Sequence, residues 1–577
     1  MCKAAEVKRN FYTRAAAFAC AVLLCIGLWP AARAVDAASG EGIVRVLLSE
    51  AGKTGALRVG IYGSYLMDDH LAFQRGTWLN VYVRGDALWL SYEGMAYRAG
   101  KRVVFVRHPV DSGENGLRLD NGLNLLAGDL VLSLDGQKIR AVLHIGMEEY
   151  LLGVVPYEMN DGFPLEALKA QAVAARTYAA RNRDTASDHD VVDNTNDQVY
   201  RGLDAQHKNA HRAVQETAGV YAYSGDRYAQ CYYTASNGGQ TESAFNAWGR
   251  ERVSYLPITE DPYDLENPDS EVRRAMLPKI VTDGVVFSPA FTDAIKAALV
   301  PHLEKQGINP ALESFRIDQV VGAQVHTARH GGDSRLMTRV QLELMLSAQR
   351  ARQADDDEEV SISGAVPTQQ PGQSPWLPMA PLSGSMKVDL DYFETVEALL
   401  HLSINRNANE LVSVRETDDA FVLEARRYGH GVGLSQRGAE WMAKTYSWTY
   451  EQILRFYYPG ISLRTRDIKQ HTRAPLQADF LSTPGPVPTA TPRPTLMPLT
   501  QTPAPEQWVA AVHGVSRNST LNLREQPNLS GKVLVQLYYG QKLLVLESLP
   551  DGWLHVRTDV LEGYVMEQYV ERVSPSE

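Results

Sequence analysis

The chain has 577 residues, of which 44% are hydrophobic and 22% charged, and its formal net charge is −11. That length suits three or four domains with sizeable cores. The acidic balance argues against nucleic acid as a partner, which needs a basic footprint, and against simple electrostatic adhesion to an anionic surface.

Residues 1–34 read as a signal peptide. Lys3, Lys8, Arg9 and Arg14 precede an apolar run from Ala15 to Trp29, Pro30 breaks it, and Ala32-Arg33-Ala34 has the small-x-small form of a cleavage site. The run is shorter than the roughly 20 residues of a spanning helix. An uncleaved N-terminal membrane anchor is the other reading. Leu24 is bulky where a lipoprotein signal ahead of Cys25 needs a small residue. Cleavage removes five Lys/Arg and one Glu, so the charge moves from −11 to −15. It also removes Cys2, Cys20 and Cys25 and leaves Cys231, and a lone cysteine forms no internal disulfide. The expectation is an acidic, exported protein.

Residues 35–145 are β-rich. The runs IVRVLLS, LRVGIY, WLNVYV, ALWLSY, RVVFVR, LVLSL and IRAVLHI alternate and are separated by Gly, Asp and Asn. A mixed region follows at 146–465. Residues 148–183 read as helical: Pro164 suits a first helical turn, Glu166 sits near the positive end of the helix dipole, and Leu165, Leu168, Ala172 and Ala175 form one small apolar face. Residues 209–255 mix strands with a Gly-rich turn. Residues 290–350 hold a helix and then strands. Within this region, 353–384 is an acidic and Pro/Gly-rich stretch, which includes DDDEE at 355–359, and it reads as an exposed loop inside a domain. From 420 to 463 a Gly-rich turn leads into two helices that end in YYPG. Residues 466–507 form a linker, Pro/Thr-rich from 483 and extended in character. Residues 508–573 carry five short strands with glycine turns, which suggests a small β-barrel. The fold class is therefore α+β: a β-rich N-terminal part, a mixed α/β core, a linker and a small barrel.

Two long motifs carry a resemblance. They are EEYLLGVVPYEMNDGFPLEALKAQAVAARTYAARNR at 148–183 and YGHGVGLSQRGAEWMAKTYSWTYEQILRFYYPG at 428–460. Between them stand Gln198-Val199-Tyr200-Arg201-Gly202, AVQETAG at 213–219 and YYTASNGGQTES at 232–243. In this order they resemble the stage II sporulation protein D family, also called SpoIID/LytB, over residues 40–463. The C-terminal unit is similar to a bacterial SH3 domain through Asn522-Leu523-Arg524, Gly552-Trp553 and Gly563-Tyr564-Val565.

The resemblance implies a peptidoglycan lytic transglycosylase that cuts glycan strands stripped of stem peptides and leaves 1,6-anhydro ends. The family's catalytic glutamate corresponds to Glu158. One carboxylate suffices for this chemistry, whereas ordinary glycosidases use two. The acid protonates the leaving oxygen, the sugar's own C6 hydroxyl attacks, and the resulting carboxylate takes the hydroxyl proton. The acid form must survive near neutral pH, so Glu158 needs a raised pKa. Its apolar neighbours Val154, Val155, Pro156 and Met159 favour that.

Candidate substrate-binding residues surround it. His430 between two glycines, with Ser435 and Gln436 on the same turn, could contact sugar hydroxyls; the alternative for His430 is a structural histidine at a tight turn. Ser236, Asn237 and Gly238 form a turn that could approach a glycan closely, or a plain hairpin. Arg176 and Tyr178 follow on the helix. Arg176 interrupts its small face and either reaches the cleft or pairs with an acid. Some family members hold zinc with a histidine and two cysteines after the helix. Here that segment has His189 and no cysteine, so no metal and no cofactor is implied. The partners implied are glycan strands and, through the SH3-like unit, the cell wall. A second role fits the same motifs: a wall-binding modifier of a partner amidase that does not itself cut.

Overall fold

The computed structural model describes residues 37–573 apart from 69–70, 74, 93, 353–373, 468–472, 477–507, 514–519 and 559–560. The signal segment, the acidic run 355–359 and the Pro/Thr-rich stretch 483–506 lie outside the described residues. The chain divides into two units. The first comprises residues up to 146, Thr185–Asn196 and those from 469 onward, and the second comprises Met147–Asp184 and Asp197–Ile468.

In the first unit the alternating runs become two sheets. One has the order Val191–Val192, Ile43–Leu47, Lys138–Gly146, Asp129–Asp135, Arg102–His108, Ser64–Met67, Leu71–Ala72. The other runs Met95–Gly100, Ala87–Tyr92, Trp78–Arg84, Ala56–Ile61, Leu117–Leu119. Leu130 lies opposite Phe105 and Leu132 opposite Val103, and all four are fully buried. Successive side chains point to opposite faces, so this register lets every second residue build the core. The short strand at 191–192 pairs parallel to Ile43–Leu47, and a part-buried Arg45–Asp190 ion pair fastens it. The C-terminal residues make a separate antiparallel sheet of seven strands in the order Val533–Tyr538, Thr520–Arg524, Glu562–Met566, Trp553–Arg557, Lys542–Ser548, Trp508–Val512, Val570–Arg572. Leu523, Leu537, Leu543, Leu554, Val556 and Val565 close its core.

The second unit is organised around the helix Leu165–Arg181. Pro164 is not in the first turn: it caps the helix in an extended conformation (ψ 142°), and the first turn starts at Leu165. The helix also buries far more than one face, since Ala167, Leu168, Ala170, Gln171, Ala172, Val173, Ala174, Ala175, Arg176, Thr177 and Ala179 are all buried. Alanine makes this possible, because neighbouring backbones can approach it from several directions. The helices Lys208–Glu216, Gln436–Tyr446 and Tyr450–Tyr457 and the strand Val220–Ser224 all pack on it. The helix Lys208–Glu216 lies in a stretch read as strands and turn. Its apolar stripe, Ala210, Ala213 and Val214, is small enough to escape a periodicity reading.

A lobe between the two halves of this unit has its own core. The helix Pro289–Lys305 buries Phe291, Ile295, Leu299 and Leu303 at a spacing of four, each stabilising by roughly 1.5–3 kcal/mol. They face sheets built from Phe315–Ala328, Met337–Ala348 and Met386–Asp391, and from Val272–Pro278, Ala420–Arg426 and Leu411–Glu416. Within the acidic stretch, 374–384 is described and carries only the two-residue strand Ala380–Pro381. The fold is α+β, as the sequence implies. Among the described residues, no helix is long and apolar enough to cross a membrane.

Candidate active site

Glu158 ends a single helical turn, Val155–Glu158, with Pro156 as its second residue. Its N–H donates to the Val154 carbonyl at 3.0 Å. Met159 is already extended (φ −128°, ψ 132°), so the turn stops there and leaves the carboxyl at its exit. Val154, Val155, Pro156 and Met159 are buried around it. Glu158 keeps some access to solvent, but its carboxyl is crowded by protein on most sides. That burial pushes its pKa up to about 7, against the pull of three donors: the Val199 N–H, the Tyr233 hydroxyl and the Gln436 amide. The Val199 N–H reaches Oε1 at 2.7 Å.

A buried relay fixes these donors. The Tyr150 hydroxyl donates to Gln198 Oε1 at 3.0 Å, and Gln198 Nε2 donates to the Ala175 carbonyl at 3.2 Å and to the Tyr233 hydroxyl at 3.1 Å. Tyr233 therefore accepts from Gln198 and keeps its own proton for Glu158. Tyr150 stacks on Tyr200 at 5.4 Å. Gly153 lies against that stack so closely that a Cβ would stand 2.5 Å from the Tyr200 ring.

Two chain segments far apart in sequence form the rest of the site. Tyr233 and Thr234 pair in parallel with Leu434 and Ser435. Ser236 and Tyr428 exchange backbone hydrogen bonds at 3.1 and 2.9 Å. Gly429 (φ 107°) makes the second segment possible, since a Cβ there would meet Thr234 Oγ1 at 2.2 Å. The result is a cleft of about 220 Å³ lined by Glu158, Asn160, Phe163, Ala235, Ser236, Glu271, Tyr428, Gln436 and Arg437.

Behind the cleft two buried aspartates hold the segments together. Asp264 accepts from the Ser236 hydroxyl at 2.7 Å, the Asn237 N–H at 2.8 Å and the Ser435 hydroxyl at 2.5 Å. Asp261 accepts from the Asn237 amide and the Tyr457 hydroxyl, both at 2.7 Å. Burial, with the neighbouring Asp264 charge, pushes Asp261 up to about 6.

The structure brings three of the candidate residues to the cleft: Glu158, Ser236 and Gln436. Asn237 and Ser435 stand behind it with their side chains committed to the aspartates. Gly238 (φ 72°) approaches backbone, not open space: a Cβ would lie 2.8 Å from the Arg427 nitrogen. Arg176 is in the interior. Its Nε and Nη2 donate to Glu148 at 2.8 and 2.6 Å, and it reaches the Val214 and Val220 carbonyls. The Tyr178 hydroxyl donates to Asp197 at 2.8 Å. His430 accepts from the Val432 N–H at Nδ1, 3.0 Å, and its ring packs on Trp248 at 4.9 Å. Burial and the Arg427 charge pull its pKa down to about 4, so it is neutral at neutral pH. Cys231 is fully buried. Among the described residues, no cluster of three His, Cys, Asp or Glu side chains is placed to hold a metal.

Sequence reasoning did not pick out Tyr233, the Val199 amide, Phe163, Tyr428, Arg437, Glu271 or the two aspartates. Tyr233 and Tyr428 stand inside the recognised motifs and were within reach. Asp261 and Asp264 bear a local sign, an Asp at the start of the short helix Pro262–Glu266 with a second three residues on.

Parts of the sequence are similar to known proteins. The profile described as stage II sporulation protein matches residues 135–223, and that of the bacterial SH3 domain matches 519–571. The first interval contains Glu158, the Leu165–Arg181 helix and Val199, while both segments that complete the cleft fall outside it. The chain is similar to the amidase enhancer of Bacillus subtilis (strain 168), 28% identical over 320 residues, which are 54% of this chain and 40% of that protein. Against the stage II sporulation protein D of the same organism it is 25% identical over 346 residues, 57% of this chain and 77% of the relative. Against that of Bacillus amyloliquefaciens it is 35% identical over 146 residues, 22% and 42% of the two chains. The chain thus spans less than half the length of the amidase enhancer it matches.

Proposed function

We propose that this chain, which carries a stage II sporulation protein domain and a bacterial SH3 domain, is an exported, wall-associated lytic transglycosylase. The observation that carries the reading is Glu158: one carboxyl at the edge of a cleft, with burial raising its pKa to about 7. Near neutral pH about half of such a group is protonated and can give its proton to the oxygen between N-acetylmuramic acid and N-acetylglucosamine. As that bond breaks, the C6 hydroxyl of the muramoyl unit closes on its own anomeric carbon and passes its proton to the Glu158 carboxylate. No water is consumed, the acid is regenerated, and the product ends in a 1,6-anhydro sugar. The Val199 N–H, Tyr233 and Gln436 stabilise the carboxylate between the two proton transfers. The SH3-like unit would hold the enzyme at the wall and raise its local concentration there.

A second reading is supported by the name of one relative, the amidase enhancer: the chain binds wall and assists a partner amidase without cutting. Peptide-stripped glycan strands, incubated with residues 35–577 and with the Glu158→Gln form, decide between them by mass spectrometry. Anhydro ends from the parent alone support the transglycosylase. Reducing ends would instead point to a water-using hydrolase, with Glu271 on the cleft rim as the second carboxylate to test. Intact strands, still bound, would favour the amidase partner role.

A further inference from the structure

Beside the Glu158 cleft lies a second surface of rings and cations that the catalytic reading leaves unused. Tyr233 turns its hydroxyl to Glu158, while the ring of Tyr232, just ahead of the strand Tyr233–Thr234, packs among other aromatic side chains. The Tyr232 ring lies 4.9 Å from Trp248 and 6.0 Å from Tyr178. Trp248 ends the short helix Ala244–Trp248, closed by Gly249 in the left-handed region (φ 67°). Phe245 and Trp248 are 44% and 40% exposed. Over these rings sit two exposed guanidinium groups. Arg250 is 5.3 Å from the Trp248 ring and 5.6 Å from that of Tyr232, and donates to the Tyr232 hydroxyl; Arg252 is 4.4 Å from the Phe245 ring. Among the described residues neither arginine forms an ion pair, although exposed Glu251 lies between them in sequence. In a chain of net charge −11, two unpaired cations on one aromatic surface are a local reversal of sign.

The surface borders the cleft. Tyr428 lines the cleft, and His430, two residues on, packs against Trp248. Two residues of chain reach at most about 7 Å.

We propose that Trp248, Phe245, Arg250 and Arg252 form a glycan subsite that reads the free lactyl carboxylate of a muramoyl unit. The parts of the Phe245 and Trp248 rings that the guanidinium groups leave exposed offer apolar surface against which a pyranose packs its C–H groups. A guanidinium is the planar donor suited to a carboxylate, and its position over a ring holds it ready. A muramoyl unit carries that carboxylate only when its stem peptide is gone, because the peptide converts it to an uncharged amide. The subsite would therefore favour stripped strands over peptide-bearing ones by charge, at a distance from the bond being cut. This rests on the glycan-binding part of the proposed function, but not on cleavage.

The test uses the full exported chain with Glu158→Gln, so that strands stay intact, and three ligands: peptide-stripped strands, the same strands with their lactyl carboxyls converted to methyl amides, and chitin hexasaccharide. Amide hydrogen exchange locates binding, and titration measures it. Stripped strands should protect residues 244–252 and bind about tenfold more tightly than the amidated strands, the effect of losing a charge-assisted contact. Arg250→Gln with Arg252→Gln should remove that preference and leave chitin binding unchanged, while the corresponding double Lys variant keeps a preference. Protection only at other segments, including 508–573, would overturn the proposal. So would a double Gln variant that still prefers the free carboxylate, or one that loses all three ligands together. Absence of cleavage by the parent, with protection at 244–252 intact, would count against the transglycosylase and not against the subsite.

Discussion

Glu158 and Asp264 are both carboxylates set into the interior of the second unit, and they differ in what surrounds them. Asp264 is fully buried and receives two hydroxyls and a backbone N–H. It joins Ser236 on one segment to Ser435 on the other and has no opening. Glu158 has one backbone N–H within 2.7 Å, two side-chain donors facing it, and a cleft in front. Burial alone therefore does not mark a reacting acid. A carboxyl whose oxygens are filled by donors behind a closed wall is a clamp. One that is costly to ionise and still reachable can exchange a proton with a ligand.

The largest effect should come from Glu158→Gln, which keeps shape and removes the proton. Glycan cleavage, followed by product mass spectrometry, should fall by at least about 10²–10⁴-fold, while the unfolding midpoint in urea stays at or above that of the parent. Asp264→Ala should do the reverse in kind. It strands two hydroxyls and an N–H, each costing about 1–3 kcal/mol, so the urea midpoint should drop sharply and cleavage should fail through the fold. Equal stability of these two variants would sink the distinction between clamp and acid.

The third effect is a pH dependence whose sign follows from the raised pKa. The folded Glu158 holds a proton up to about pH 7, and the unfolded chain releases it near 4.5. Within that window the native state binds more protons, so its stability falls as pH rises, by up to about 3 kcal/mol over the window. Asp261, raised to about 6, contributes in the same direction. Denaturant unfolding from pH 4 to 8 should show the slope, and Glu158→Gln should reduce it without abolishing it. Cleavage should decline above about pH 7 as the acid form is lost. The smallest effect is that of Gly153→Ala. Its Cβ would press on Tyr200, at a cost of about 1–3 kcal/mol in stability. The disturbed Tyr150–Gln198–Tyr233 relay should lower the cleavage rate with little change in wall binding, which a pelleting assay with purified wall would detect.

Much of this architecture can be read from sequence where the signal is local. The strand runs at 43–49, 78–92, 102–107 and 130–145 alternate, and they are strands. Glu158 among Val, Pro and Met already suggests a costly charge. Long-range pairing is not legible in this way. Arg176 on its small apolar face allowed either a reach to the cleft or pairing with an acid, and the sequence does not name that acid: it is Glu148, 28 positions earlier on another helix. Ser236, Asn237 and Ser435 stand beside glycine turns and suggest sugar contacts, but their hydroxyl and amide partners are aspartates 24 to 171 positions away. The direction of Tyr233 depends on the parity of a two-residue strand, which periodicity cannot fix.

The parallel pairing of Tyr233–Thr234 with Leu434–Ser435 has a consequence in time. Gln436, which faces Glu158, meets its neighbour Gln171 across 265 positions of sequence. Closing so long a loop is slow, and the contacts that reward it come last. Until the final helices dock, Glu158 lacks Gln436, one wall of its cleft and the burial that keeps it protonated. In a half-folded chain the same residue is then an ordinary ionised glutamate on a loop, and a protonated carboxyl facing a cleft arises only when folding is almost complete.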